Sequence, residues 1–119
     1  MNNKVFGDVT FNFGWETSLQ IRYNEKDYAI TVSADAYFET DGITQQQEDS
    51  YAEFLKNKVE VLENIQKALG DNDKFVPALL LVKRNGDYGL VFDDVEDTEG
   101  GAVVTVKPKI EVLAVDQYF

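Results

Sequence analysis

Hydrophobic and polar positions alternate near the start of the chain: Val9, Phe11, Phe13 and Trp15 are separated by Thr10, Asn12 and Gly14. A period of two puts alternate side chains on one face, so the stretch is predicted as a half-buried strand with those four residues facing the core. Leu19, Ile21 and Tyr23 repeat the pattern, and Tyr28, Ile30 and Val32 repeat it beyond Asn24-Glu25-Lys26-Asp27. With those intervening residues as a hairpin loop, Tyr23 faces Tyr28, Ile21 faces Ile30 and Leu19 faces Val32, all on one face.

The period changes after Asp41-Gly42. Thr44 and Gln47 have the spacing of a capping box, and Glu48 and Asp49 bring negative charge to the first turns, where the helix dipole favours it. Tyr51, Leu55, Val59, Leu62, Ile65 and Leu69 then recur at helical spacing, flanked by Phe54, Val61 and Ala68. The pattern predicts one amphipathic helix of about seven turns. Gly70 ends it, with Asp71-Asn72-Asp73 as loop. Lys58, beside the apolar stripe, is expected to pack its stem and send its ammonium into water.

Strand character returns in Phe75–Val82, FVPALLLV, whose nearly continuous apolar run suggests a central position with burial on both faces. Pro77 limits pairing at its start. Asn85-Gly86 is a strong hairpin signal and places Leu81 opposite Leu90 and Leu79 opposite Phe92. Ala102–Val106 and Ile110–Val115 are further strands. The order βββ-α-ββββ predicts an α+β fold: a mostly antiparallel sheet with one long helix packed on one face, in a single domain over residues 1–119.

Charge alters the picture more than composition does. Eleven basic residues face 22 acidic ones, a net charge of −11, with the excess spread along the whole chain. Such a field repels nucleic-acid phosphates and anionic headgroups, which argues against direct binding of nucleic acid or membrane, and it favours capture of a basic protein. The chain has no Cys and no His. Thiol and imidazole catalysis, disulfides and zinc sites of the Cys/His kind are thereby excluded, and no cofactor is expected. The opening MNNKVFGDVTFNF has no apolar signal core, and no run approaches a membrane span, so a cytoplasmic protein is expected.

One stretch concentrates the acidity. Asp93, Asp94, Glu96, Asp97 and Glu99 put five carboxylates within the nine residues DDVEDTEGG. As a calcium loop counted from Asp94, with Glu96 and Thr98 as further ligands, it fails, because Glu99 stands at the sixth position where glycine is needed and no Glu closes the twelfth. As a paired-carboxylate site it lacks a cleft to separate the two pKa values. Ser18, Ser33 and Ser50 have no imidazole to activate them, and Gly100-Gly101 leads into a strand instead of a phosphate-binding helix. Two readings remain: a solvated turn freed by its glycines, or a contact for a basic protein.

Several segments resemble a family of small bacterial domains of unknown function: Phe6-Gly7, Gly14-Trp15, the Tyr28–Val32 strand, the helix with Gln47, Tyr51, Phe54, Leu55 and Asn57, and Tyr88-Gly89-Leu90-Val91-Phe92 with its acidic turn. The resemblance spans nearly the whole chain and contains no catalytic signature. Members are similar to immunity or accessory proteins, which implies binding rather than catalysis. Many carry a His between the Glu and Gly of the acidic turn; Glu99-Gly100-Gly101 lacks it, so a polar site built on that residue does not carry over. The sequence therefore points to a non-enzymatic, immunity-like binding protein or inhibitor whose acidic surface meets a basic toxin- or nuclease-like partner. The alternative is an assembly module that self-associates through a sheet edge.

Overall fold

A computed structural model of the protein describes residues 1–70, 73–97 and 99–119. Strands β1 (Asn2–Asn3) and β2 (Gly7–Asp8) form a small hairpin, followed by β3 (Thr10–Phe11), β4 (Trp15–Tyr23) and β5 (Lys26–Ala34). A 3₁₀ turn at Glu39–Asp41 leads to helices α1 (Gln45–Lys56) and α2 (Lys58–Leu69). The chain continues through β6 (Phe75–Val82), β7 (Tyr88–Asp94), β8 (Gly101–Lys107), β9 (Glu111–Ala114) and α3 (Val115–Tyr118). Strands β3 to β9 lie side by side in chain order. Asp71 and Asn72 of the expected loop, and Thr98 of the acidic stretch, lie outside the described residues.

The fold is α+β, but the sheet and the helix each differ from the sequence expectation. The sheet is mixed, because β5 and β6 pair in parallel from Thr31↔Leu79 to Ala34↔Val82. The chain leaves β5, travels back along the helices and enters β6 in the same direction, as a crossover requires. The expected long helix is instead two, interrupted at Asn57 (φ −111°, ψ 23°). The Glu53 carbonyl accepts from both the Asn57 backbone N–H at 3.0 Å and its side-chain amide at 3.2 Å, a local competition that disfavours helix continuation. The break rephases the apolar stripe. Tyr51, Phe54, Leu62 and Ile65 are buried, whereas Val59 and Leu55 are exposed.

The capping box forms as its spacing predicts. The Gln47 N–H donates to Thr44 Oγ1 at 3.1 Å, and the Thr44 N–H donates to Gln47 Oε1 at 2.9 Å. Above the helices, Ile21, Tyr23, Ile30, Val32, Leu80, Val82, Leu90 and Phe92 form the sheet side of the main core. The N-terminal hairpin adds Phe6, whose ring stacks on Tyr51 at 4.5 Å between centroids.

Both predicted hairpins exist in other registers. Between β4 and β5 the loop is only Asn24-Glu25, with φ of 50° and 65°, and Ile21 pairs with Tyr28 and Leu19 with Ile30. Two consecutive left-handed residues match the twist of the flanking strands. This shift of two keeps the same side chains on the core face. Between β6 and β7 the Lys83 N–H donates to the Asp87 carbonyl, and Arg84-Asn85-Gly86 form a three-residue loop. Leu80 therefore pairs with Leu90 and Leu79 with Val91, one residue away from the expected register, and the faces exchange. Leu81 and Val91 consequently join Val103 and Tyr118 in a second cluster on the sheet face away from α1 and α2. Gly86 fixes the loop: its φ is +93°, and a Cβ there would meet Ser50 Oγ at 3.0 Å and the Gln46 carbonyl at 3.1 Å.

The first predicted strand is also divided. Asn12-Phe13-Gly14 turns the chain, pairing Phe11 with Trp15. Phe13, expected in the core, points outward and is 92% exposed, whereas Val9 and Trp15 are buried. The last strand stops at Ala114 rather than Val115, where α3 begins and carries Tyr118 onto the second cluster.

Candidate partner-binding surfaces

The acidic stretch closes the hairpin between β7 and β8. Asp93 is still in β7, opposite Gly101, and is exposed, as are Glu96, Asp97 and Glu99. Asp94 differs: its side chain is only 10% exposed and lies 3.9 Å from Lys74 Nζ. Asp94 Oδ1 accepts the Glu96 N–H at 2.9 Å, and Asp97 Oδ1 accepts the Glu99 N–H at 3.0 Å. Two of the five carboxylates thus shape the turn through side chain–backbone hydrogen bonds, as Asp does in loops generally. The described residues hold no cluster of three or more Asp or Glu side chains suited to a metal ion.

A second surface, unrecognised in the sequence, lies on the sheet face away from α1 and α2. There Ser33, Leu79 and Leu81 floor an open groove of about 600 Å³, bordered by Phe13, Glu16, Asp35, Lys83, Tyr118 and Phe119. A smaller recess continues it past Phe13 and Asp35 to Tyr37. Phe119 also borders a recess containing Glu99, Gly100 and Asp116. The acidic turn and the groove therefore adjoin one another across the Phe119 ring.

The loop carrying Tyr37 and Phe38 is held firmly. Arg84 Nη1 donates to the carbonyls of Asp35 at 3.1 Å and Gly42 at 2.7 Å, and its Nη2 donates to that of Asp41 at 3.1 Å. Gln47 Nε2 donates from below to the Asp35 carbonyl at 2.9 Å. The two aromatic side chains nonetheless remain exposed, Tyr37 at 92%. The sequence signal for them was slight: an aromatic pair outside any period, just before the Asp41-Gly42 breaker.

Lys83 is the groove's cation, and it is engaged. Its Nζ donates to the Tyr118 carbonyl at 3.0 Å and sits 4.0 Å from the centre of the Tyr118 ring. Burial raises the Tyr118 pKa, and the nearby Asp87 and Asp35 charges raise it further. In the main core, burial and the Glu53 charge push Tyr88 up to about 12, and burial raises Tyr51. These phenols stay protonated at neutral pH and are poor candidates for a general base. The buried Trp15 Nε1 has no hydrogen-bond partner among the described residues. No described helix is long and apolar enough to cross a membrane.

Residues 5–99 match the model of a family described as Domain of unknown function (DUF6985), and the chain belongs to that family. Neither a curated protein nor a solved structure matches the chain.

Proposed function

We propose that this member of the DUF6985 family is a non-enzymatic binding protein whose acidic surface engages a basic protein, in the manner of an immunity protein or inhibitor that occludes a toxin or nuclease. The supporting observation is the hairpin end, where Asp93, Glu96, Asp97 and Glu99 stand exposed on a backbone shaped by the Asp94 and Asp97 side chains. Like charges on a fixed turn repel one another, and a cationic partner relieves that repulsion on binding. The net charge of −11 extends the same field over the whole molecule and disfavours nucleic acid and anionic membranes as direct partners. A chain without Cys suits a reducing compartment, so the reading places this activity in the cytoplasm.

The test is association kinetics with a basic protein obtained by pull-down. Neutralising Asp93, Glu96 and Glu99 should slow association and flatten its salt dependence, while neutralising Glu60 and Glu63 on α2 leaves both closer to the parent. Equal slowing by the two variants would reduce the site to net charge alone.

A second reading has its own observation. Beyond Glu16, β4 has a strand neighbour only on its β5 side among the described residues, which leaves an open edge from Thr17 to Tyr23. Open edges pair with other chains, and a self-associating module would use this one. A dimer that persists in high salt favours that reading over the first.

A further inference from the structure

Phe13 is held in a conformation that works against its own side chain. Its φ of +57° lies in the left-handed region, which a bulky side chain occupies only under strain. The ring is 92% exposed, so its burial does not repay that strain. No ring of the described residues stacks on it; the aromatic contacts nearby are those of Phe11 with Trp15 and of Tyr37 with Phe38. Gly or Asn would serve the turn better. Strain of this kind, combined with an exposed aromatic, marks a side chain presented outward.

What surrounds Phe13 indicates what it meets. Tyr37 and Phe38 stand exposed on the loop that Arg84 clamps, and Phe119 is exposed on the other side of the groove. Aromatic side chains beside an apolar floor supply large contact area to a partner, and Tyr37 does so from a backbone already held in place. Among them lie the carboxylates of Glu16 and Asp35. The Asp35 carboxylate receives no hydrogen bond or ion pair from the described residues. Glu39 and Asp41 add charge along the same loop. Lys83, the opposing cation, is already engaged with Tyr118.

We infer that the groove floored by Ser33, Leu79 and Leu81 and rimmed by Phe13 and Phe119, together with the recess that continues it to Tyr37, docks a basic segment of a protein partner, its Arg or Lys side chains over the aromatic faces and against Asp35 and Glu16, with apolar side chains between them on the floor. Aromatic faces attract cations, guanidinium most of all, and a carboxylate beside the ring reinforces the attraction. A second copy of this chain is a poor occupant, because it would bring Asp35, Glu16, Glu39 and Asp41 of two chains of net charge −11 against one another. The inference rests on the basic-partner reading but assigns the specific contact to the groove and leaves the acidic turn as its steering rim.

The probe is a short synthetic peptide alternating Arg and Val, with a counterpart carrying Glu for Arg, titrated into the full-length ¹⁵N-labelled protein. The expected result is amide shifts centred on Phe13, Asp35, Tyr37 and Leu81 for the Arg peptide and none for the Glu peptide. Affinity should fall about tenfold or more on combining Phe13→Gly with Tyr37→Ser, a loss within the range of hot-spot aromatics. Phe13→Gly removes the left-handed strain, so its urea midpoint should match or exceed the parent's, and loss of binding will not reflect misfolding. Shifts confined to Asp93–Glu99 would overturn the groove while keeping the acidic-turn reading. Groove binding that ignores Glu96→Gln with Glu99→Gln would support the groove and remove the turn. Absence of binding at both places sinks both readings, and a dimer disrupted by Phe13→Gly overturns the groove in favour of self-association.

Discussion

Gln47 and Val82, thirty-five positions apart in the chain, meet where the Gln47 side-chain amide donates to the Val82 carbonyl at 3.1 Å in the protein interior. The same amide group donates to the Asp35 carbonyl, and its oxygen accepts the Thr44 N–H. One fully buried side chain thus joins the start of α1, the end of β5 and the end of β6. Asp35 begins the clamped loop, so the polar core and the display of Tyr37 share this anchor.

Gln47→Leu should therefore destabilise the fold by about 1–3 kcal/mol, the range for removing buried hydrogen bonds without full compensation. Gln47→Glu keeps the shape and the cap acceptor but aims a carboxylate at two carbonyls, and should destabilise it more. Equilibrium urea titrations near neutral pH check both; a neutral Gln47→Glu would show that the amide orientation is not as described.

The interruption at Asn57 predicts a contrast within one stripe. Leu62 is buried on α2, and Leu62→Ala should lose about 2–5 kcal/mol. Val59 is 71% exposed, and Val59→Ala should change stability by less than about 0.5 kcal/mol. A continuous helix with the stripe read from the sequence would make both changes costly, so the pair of urea midpoints distinguishes the two arrangements.

Much of the architecture was legible, and each failure has a local cause. The capping box, the helix stop at Gly70 and the central position of Phe75–Val82 follow from spacing and apolar run length. The registers did not, because they depend on turn type: left-handed backbone at Asn24 and Glu25 shortens one loop, and Gly86 lengthens the other by one residue. A slip of one sent Leu81 to the opposite face, and with it went any view of the second cluster or its groove. The acidic turn was visible as charge, but the separate role of Asp94 was not, since burial of one carboxylate among five depends on where Lys74 and Gly100 stand.

Gly86→Ala should destabilise by about 1–3 kcal/mol, from left-handed strain and the approach to the Gln46 carbonyl. Thermal or urea unfolding measures it, and Ser50→Ala separates the contributions. The Ser50 hydroxyl donates to the Gly86 carbonyl at 2.6 Å, so its removal tests that bond without altering the loop backbone. A Gly86→Ala variant as stable as the parent would contradict the three-residue loop.

Alkaline stability should fall in a defined window. Tyr88 is held at about 12 in the folded protein against an ordinary value of 10, and burial also raises Tyr51 and Tyr118. The folded state then binds more protons than the unfolded one, so stability present below pH 10 is lost as pH rises toward about 12. Urea midpoints measured across this range should decline, and Tyr88→Phe should decline less steeply than the parent. Equal slopes would mean that Tyr88 is not insulated from solvent.

Within the acidic turn, the geometry separates residues that charge alone makes equivalent. Glu96 and Glu99 are exposed, and their side chains make no hydrogen bond among the described residues, so Glu96→Gln and Glu99→Gln should leave stability unchanged or slightly raised as repulsion falls. Asp94 and Asp97 instead accept backbone N–H groups two residues on, and Gly100 lies so close that a Cβ there would stand 3.1 Å from Asp94 Oδ2. Asp94→Ala and Asp97→Ala should each lose about 1 kcal/mol, because the Glu96 and Glu99 amides forfeit their acceptors. Asp94→Asn and Asp97→Asn preserve an acceptor and should recover most of that loss, which assigns it to the hydrogen bond and not to charge. Urea midpoints of the six single variants provide the check. If all six behave alike, the carboxylates merely decorate the turn; if Asp94→Asn falls as far as Asp94→Ala, the contact of Asp94 with Lys74 carries the stability at that position instead.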